Sequence, residues 1–157
     1  MKPELVQKEL YDRIASDYEA HYDDEASQRF RDTFIYPHLL GRIDFKGTRV
    51  LEAMCGSGQV TRQLLARGAQ VVGLDVSQSQ VQLFKAKFPE CDAVCASVTD
   101  LSFEPDSFDH VVVMGRLSQD SGLTTRAAAR VAFVDVFTIS ETGMLHACRR
   151  YYFSPPA

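Results

Sequence analysis

The sequence predicts an α/β fold with a doubly wound, mostly parallel sheet, and two observations support this class. Strand-like and helix-like segments alternate between residues 48 and 115, the order expected of parallel strands joined by right-handed helical crossovers. The unbroken apolar run from Val111 to Val113 is typical of a strand that is covered on both faces. A crossover sheet places the carboxyl ends of its strands along one edge, where ligands of such folds bind.

Length and composition indicate one globular domain. The chain has 157 residues, of which 45% are hydrophobic and 24% charged. We expect an N-terminal helical part over 1–45, a core over 46–115 and a C-terminal part over 116–157. The charged N-terminus lacks the apolar core of a signal peptide, and no apolar run approaches the ~18 residues of a membrane span. A cytoplasmic protein that does not engage a membrane is the expectation.

The charge and the cysteines bear on partners and metals. The net charge of −4 gives no support for a basic face, so no nucleic-acid partner is expected. Cys91 and Cys95 lack a second pair of ligands nearby, which makes a zinc site a weak interpretation. We expect free thiols in a reducing compartment and no bound metal.

Two helices are predicted before residue 45. The first spans 3–22, with Val6, Leu10 and Ile14 repeating every four residues and Tyr11 and Tyr18 on a neighbouring stripe. The second spans about 26–40 and ends at Gly41, with Pro37 expected to kink it or end it early.

The core is predicted as four strands with two intervening helices. The strands cover 48–53, 69–75, 92–97 and 109–115. The first helix carries Val60 and Leu64 on its inner face and stops at Gly68, while the second begins at Ser77 as N-cap and closes at Pro89.

Three features converge at the carboxyl ends of the first two strands. Gly56 and Gly58 lie between a strand and a helix, where missing side chains let backbone N–H groups approach a ligand. Asp75 ends the next strand, where a carboxylate can accept hydrogen bonds from both hydroxyls of a ribose. Glu52 places a charge at the end of a strand where an apolar residue would cost less. A tight turn explains the glycines alone and a helix-dipole acid explains Asp75 alone, but together the three features predict a nucleoside-type ligand.

These segments resemble class I S-adenosylmethionine-dependent methyltransferases of the small-molecule type. Residues 50–59 (Val-Leu-Glu-Ala-Met-Cys-Gly-Ser-Gly-Gln) are similar to the first motif of that family and 71–75 to its second. Residues 103–113 resemble the approach to the fourth strand, and 11–18 the N-terminal helix that often lids the pocket. The resemblance covers about residues 8–115. It implies a Rossmann-like fold, S-adenosyl-L-methionine as cofactor and methyl transfer to a small-molecule substrate.

The resemblance also implies roles for individual residues. Glu52 would orient the amino group of the methionine part and Asp75 would bind the ribose. The remaining cofactor-binding residues would be the loop residues Ala53, Cys55, Gly56 and Gly58, Val76 after Asp75, Ser97 and Val98 beside the adenine, Met114 and Gly115 near the methyl-transfer face, and Tyr18 of the lid helix. Met54 departs from the family pattern at the usual first glycine, so its side chain must point away from the cofactor or the loop must differ. Ser97 is a second departure, because the family commonly has an acid at this position.

Alternatives remain for the ligand and for catalysis. A nicotinamide dinucleotide fits less well, because Thr61 replaces the third Gly or Ala of that fingerprint. A non-catalytic module that binds S-adenosylmethionine is the second alternative. No catalytic base is assigned. The candidates, each also explained by packing, are His21, Tyr18, Tyr22 and His110, and Cys55 lacks a partner base that would make it a nucleophile.

The C-terminal part is too short for the full family fold. Only 42 residues follow Gly115, whereas three strands and two helices need about 60. A fifth strand is predicted over 130–139 with a helix over 124–129 before it. We therefore expect a truncated or diverged domain, whose exposed sheet edge could pair with a second copy.

Overall fold

The computed structural model of the chain describes residues 3–22, 24–119, 129–139 and 145–153, with side chains described over 5–20 and 24–114. Within these ranges the helices are α1 (Pro3–Tyr22), α2 (Glu25–Phe30), a π-helical turn (Arg31–Ile35), α3 (Tyr36–Leu40), α4 (Thr61–Leu65) and α5 (Gln78–Lys87). The strands are β1 (Arg49–Ala53), β2 (Gln70–Asp75), β3 (Asp92–Cys95), β4 (His110–Gln119), β5 (Ala129–Ile139) and β6 (Leu145–Phe153).

The predicted parallel sheet is confirmed. The described strands form one sheet in the order β3-β2-β1-β4-β5-β6, in which β1 pairs in parallel with β2 and β4, and β2 in parallel with β3. The two helical crossovers, α4 and α5, join β1 to β2 and β2 to β3. The carboxyl ends of the first three strands therefore meet at one edge, as the sequence predicted.

The C-terminal strands continue the sheet in antiparallel fashion. β4 pairs with β5, and β5 with β6, both antiparallel. The predicted strand over 130–139 is confirmed as β5, whereas the helix predicted over 124–129 lies outside the described residues except for Ala129, which belongs to β5. Antiparallel neighbours need no long crossover, so a short C-terminal part can still add two strands. Among the described strands β3 and β6 are outermost, and pairing of an edge with a second copy stays a prediction.

Helix α1 has the predicted bounds but buries a different face from the one that the periodicity suggested. Val6 and Leu10 are exposed (48% and 40%), while Ala15 is buried and the rings of Tyr11 and Tyr18 meet edge to face. The helix packs against α5, and that contact selects the tyrosine stripe as its inner face.

The single helix predicted over about 26–40 is interrupted. The Tyr36 N–H donates to the carbonyl of Arg31, five residues back, so the chain widens into a π-helical turn before α3 begins. Pro37 lies in the first turn of α3, where its missing N–H costs nothing. Gly41 ends the helix as predicted, and its N–H donates to the Pro37 carbonyl.

The sheet has a separate apolar layer on each face. Val50 and Val112 pack with Leu64 of α4 and Phe84 of α5 on one face. Leu51 and Val72 pack with Phe103 from the connection before β4 on the other. Because side chains alternate along β1, Glu52 lies on the same face as Val50 and thus under α4.

Candidate functional site

A cavity of about 230 Å³ opens at the carboxyl ends of the parallel strands. Of the predicted site residues, those that line it are Glu52, Cys55, Gly56, Asp75, Val76, Ser97, Val98, Met114 and, from α1, Tyr18. Ala53 and Gly58 do not line it, and Gly115 follows Met114 in β4. The structure thus brings together residues from five separate segments of the chain.

Six further lining residues were not predicted from the sequence: Gln7, Tyr11, Met54, Gln59, Gln80 and Ala96. Gln7, Tyr11 and Tyr18 repeat at spacings of four and seven, which places them on one face of α1. That spacing was the available signal, and the more apolar stripe through Val6 and Leu10 obscured it.

Glu52 is a buried carboxylate at the inner end of the cavity. Its Oε1 accepts a hydrogen bond from the Val60 N–H (3.1 Å), and its Oε2 accepts one from the hydroxyl of Thr61. Burial raises the pKa of Glu52 to about 7, and these hydrogen bonds oppose the shift. The group is therefore poised to gain or lose a proton near neutral pH, and a cation in the cavity would favour its charged form.

Asp75 ties the glycine loop to the end of β2. Its Oδ2 accepts from the Gly56 N–H and its Oδ1 from the Ser77 N–H, each at 2.9 Å. Burial raises the pKa of Asp75 and the backbone hydrogen bonds oppose that shift. Each carboxylate oxygen retains acceptor capacity after one hydrogen bond, so Asp75 can hold the loop and also accept from hydroxyls of a ligand.

The two loop glycines have different surroundings. Gly56 has φ +53° and faces the cavity, where a Cβ would lie 3.6 Å from Oε1 of Gln80. Gly58 has φ +92° and packs against Phe88 behind the loop, with no room for a Cβ. The first glycine exposes backbone to a ligand, and the second allows the loop to close onto α5.

Met54, at the position where the family pattern has a glycine, adopts a backbone conformation typical of glycine. Its backbone adopts the left-handed φ of +58° that glycine favours, which costs a non-glycine residue about 1 kcal/mol or more. The side chain is half exposed at the cavity wall and does not fill the cavity. The loop therefore keeps the conformation that a glycine would give it.

Among the residues considered for catalysis, Cys55 and Tyr18 line the cavity and His110 does not. Burial strongly raises the pKa of the Cys55 thiol, which opposes its use as a thiolate nucleophile. His110 pairs with Val50 at the opposite end of β1 from the cavity. Tyr18 lines the cavity, whereas the side chains of His21 and Tyr22 lie outside the described part of the chain.

Helix α1 is held against α5 by the carboxylate of Asp12 and by an ion pair between Glu19 and Lys87. Oδ1 of Asp12 accepts from the hydroxyl of Ser77 (2.6 Å) and from the Ser79 N–H (3.1 Å), at the start of α5. Lys8 donates to the other oxygen of Asp12. The hydrogen bonds from Lys8, Ser77 and Ser79 hold the pKa of the Asp12 carboxyl well below its usual range. The helix thereby forms one wall of the cavity, and its role as a lid stays a prediction.

The arrangement defines a class of protein. In the parallel part of the sheet, a glycine loop follows the first strand and Asp75 ends the second. Both line one cavity, which the fully buried Glu52 also lines. This is the geometry of a crevice that binds a nucleoside-containing cofactor.

The family can be stated as well. A family model described as a methyltransferase domain matches residues 50–134, more than half of the chain, and the chain belongs to this family. Among the structures it resembles is magnesium protoporphyrin IX methyltransferase (ChlM) from Synechocystis PCC 6803 with bound SAM, at a TM-score of 0.59 and 14% identity over 84% of this chain and 96% of that one. At this identity the likeness shows a shared fold.

Two curated relatives are closer in sequence. Magnesium-protoporphyrin O-methyltransferase from Rhodobacter capsulatus is 34% identical over 113 residues, which are 65% of this chain and 50% of that protein. The biotin biosynthesis bifunctional protein BioHC from Cellvibrio japonicus is 33% identical over 94 residues, 59% of this chain and 18% of that protein. The chain therefore spans half or less of the length of these relatives.

Within the described residues, no helix is both long and apolar enough to span a bilayer. The same residues contain no cluster of three metal-ligating side chains.

Proposed function

We propose that this chain binds S-adenosyl-L-methionine and provides the cofactor-binding part of an enzyme that methylates a small molecule. The observation that carries the proposal is the convergence of Glu52, Gly56 and Asp75 on one cavity. Membership of the methyltransferase family supports the proposal. The names of the curated relatives, of which one is an O-methyltransferase of a porphyrin, support a small-molecule acceptor.

The residues present fit the cofactor. A nucleoside needs hydroxyl acceptors, and Asp75 has spare acceptor capacity in the cavity. An ammonium group needs a carboxylate, and Glu52 is buried there without a cationic partner among its hydrogen bonds. The cavity of about 230 Å³ lies below the roughly 300 Å³ typical of drug-sized sites, but it opens to solvent past the half-exposed Met54 and Val98.

The chain's own residues would bind and orient the reactants. Glu52 pairs with the ammonium group, Asp75 accepts from the ribose hydroxyls, and Val76, Ser97 and Val98 lie along the adenine. Met114 and Gly115 lie beside the face from which the methyl group leaves. When bound, the cofactor supplies a methyl group already activated on a sulfonium, so positioning of the acceptor is the main contribution of the protein. No base is assigned to the acceptor.

Binding measurements separate this proposal from the alternatives. Calorimetric titration with S-adenosylhomocysteine should show saturable binding, and titration with NAD should show none. Binding of NAD alone would favour the nicotinamide interpretation. A chain that binds S-adenosylhomocysteine but transfers no methyl group to any member of a panel of phenols, carboxylic acids and quinols would be a cofactor-binding module.

Protonation of Glu52 predicts how cofactor affinity depends on pH. Because the pKa of Glu52 is raised to about 7, the free protein carries a proton there at pH 6. Pairing with an ammonium group requires the charged form of Glu52. Binding should therefore release close to one proton per chain at pH 6 and almost none at pH 8. The affinity for S-adenosylhomocysteine should rise by up to about tenfold per pH unit below pH 7.

Glu52→Gln is the matched variant, since it keeps the shape and cannot ionise. Titrations in buffers of different ionisation enthalpy count the released protons. The variant should bind more weakly and release none at this position. Equal proton release by the variant and the original chain would show that another group titrates on binding.

A further inference from the structure

Gln80 carries an amide that the protein itself leaves without a partner. The residue is only 2% exposed, and neither its Nε2 nor its Oε1 has a hydrogen-bond partner. It lies in the first turn of α5 and lines the cavity, with Oε1 close to Gly56. Native proteins pair most buried polar groups, so an unpaired buried amide in a cavity wall points to a ligand.

The local sequence explains why this amide is free. Ser77 and Gln80 have the spacing of a capping box, in which the glutamine would reach back to the N–H of Ser77. That N–H instead donates to Asp75. The reciprocal half of the box is present, because the Gln80 N–H donates to the Ser77 hydroxyl (3.2 Å). The side chain is thus released from the helix cap.

The position of the amide selects the part of the ligand. Gln80 lines the same cavity as Gly56 and Asp75, with its Oε1 near Gly56, and the ribose would lie beside these residues under the proposed function. A ribose hydroxyl both donates and accepts a hydrogen bond. The Asp75 carboxylate can only accept, whereas an amide N–H₂ can donate to the hydroxyl oxygen.

We propose that Gln80 is a ribose-binding residue, whose amide donates to a sugar hydroxyl that itself donates to Asp75. This inference rests on the proposed function and adds a contact that neither the sequence motifs nor the family resemblance assigned. Until the nucleoside is present, the buried amide of Gln80 is unpaired, and this destabilises the free protein.

Gln80→Met tests the assignment, because methionine has nearly the same length and shape but no amide. Gln82→Met is the control, since Gln82 is exposed on the same helix and does not line the cavity. The variant should bind S-adenosylhomocysteine about tenfold more weakly than the original chain. It should melt at an equal or higher temperature without ligand, because a buried unpaired group has been removed. The control should match the original chain in affinity.

Three results would overturn the inference. Unchanged affinity of Gln80→Met would show that the amide makes no contact with the ligand. A clear fall in melting temperature or a failure to fold would show that the protein already satisfies the amide. Loss of affinity for S-adenosylhomocysteine but not for 5′-methylthioadenosine, which keeps the ribose and lacks the amino-acid end, would place the contact away from the sugar. If the original chain bound neither ligand, the proposed function itself would fall, before any variant is compared.

Discussion

Replacing Asp75 by alanine is expected to weaken the binding of S-adenosylhomocysteine by about 100-fold or more. Two hydrogen bonds from ribose hydroxyls to a charged acceptor are lost, and such bonds contribute about 1.5–3 kcal/mol each. The Gly56 and Ser77 N–H groups also lose their acceptor, so the loop under the ligand keeps only the hydrogen bond from the Cys55 N–H to the Leu74 carbonyl as a described backbone tie to β2. Both effects act in the same direction.

Asp92→Ala is the control for this variant. Asp92 is an exposed acid at the start of β3, away from the cavity at the carboxyl ends of the strands. Calorimetry should give the control an affinity within about threefold of the original chain, while circular dichroism verifies that both variants are folded. A folded Asp75→Ala variant with undiminished affinity would contradict the ribose assignment.

Replacing Gly58 by alanine is expected to destabilise the fold by about 3 kcal/mol. A left-handed φ costs a residue with a Cβ about 1–2 kcal/mol, and forcing an extra carbon into a packed site costs about 1–3 kcal/mol. At Gly58 that carbon would lie 2.5 Å from Cε2 of Phe88 and 2.9 Å from the hydroxyl oxygen of Thr61. Thr61 donates to Glu52, so the strain would reach the buried acid as well.

Gly47→Ala separates the two costs. Gly47 also has a positive φ (+73°), but a Cβ there would meet nothing within 4 Å. Urea denaturation should therefore show a loss of about 1 kcal/mol for Gly47→Ala, well below that for Gly58→Ala. Equal losses for the two variants would mean that the ring of Phe88 moves aside at little cost.

The half of the sheet that lines the cavity was predictable because its signals are local. The apolar runs of β1 and β2 and the glycines between them indicated two parallel strands, and parallel strands bring their carboxyl ends together. The predicted proximity of Gly56 and Asp75, nineteen residues apart, is confirmed by the hydrogen bond between them.

What could not be predicted depends on contacts distant in the sequence. The inner face of α1 is selected by packing on α5, which the periodicity of Val6 and Leu10 cannot encode. The left-handed backbone of Met54 contradicts the preference of its residue type, and is held because the next N–H, of Cys55, donates to the Leu74 carbonyl across the sheet. The antiparallel order of β5 and β6 likewise depends on pairing rather than on local pattern.

Gln80 is intermediate between these cases. Its capping-box spacing with Ser77 is visible in the sequence and indicates a side chain that folds back on the helix. Only the structure shows that Asp75 already holds the Ser77 N–H. The single-domain boundaries, the roles of the cofactor-binding residues and the cytoplasmic location stay predictions.

The bond network around Asp12 bears on where this protein can be cut. A fragment designed from the family match would begin at residue 50 and would lack the carboxylate that clasps the start of α5. The cavity of such a fragment would lack the wall that Tyr11 and Tyr18 provide and would be open to solvent on that side. The smallest piece able to enclose a cofactor therefore includes a helix that lies outside the family match over residues 50–134.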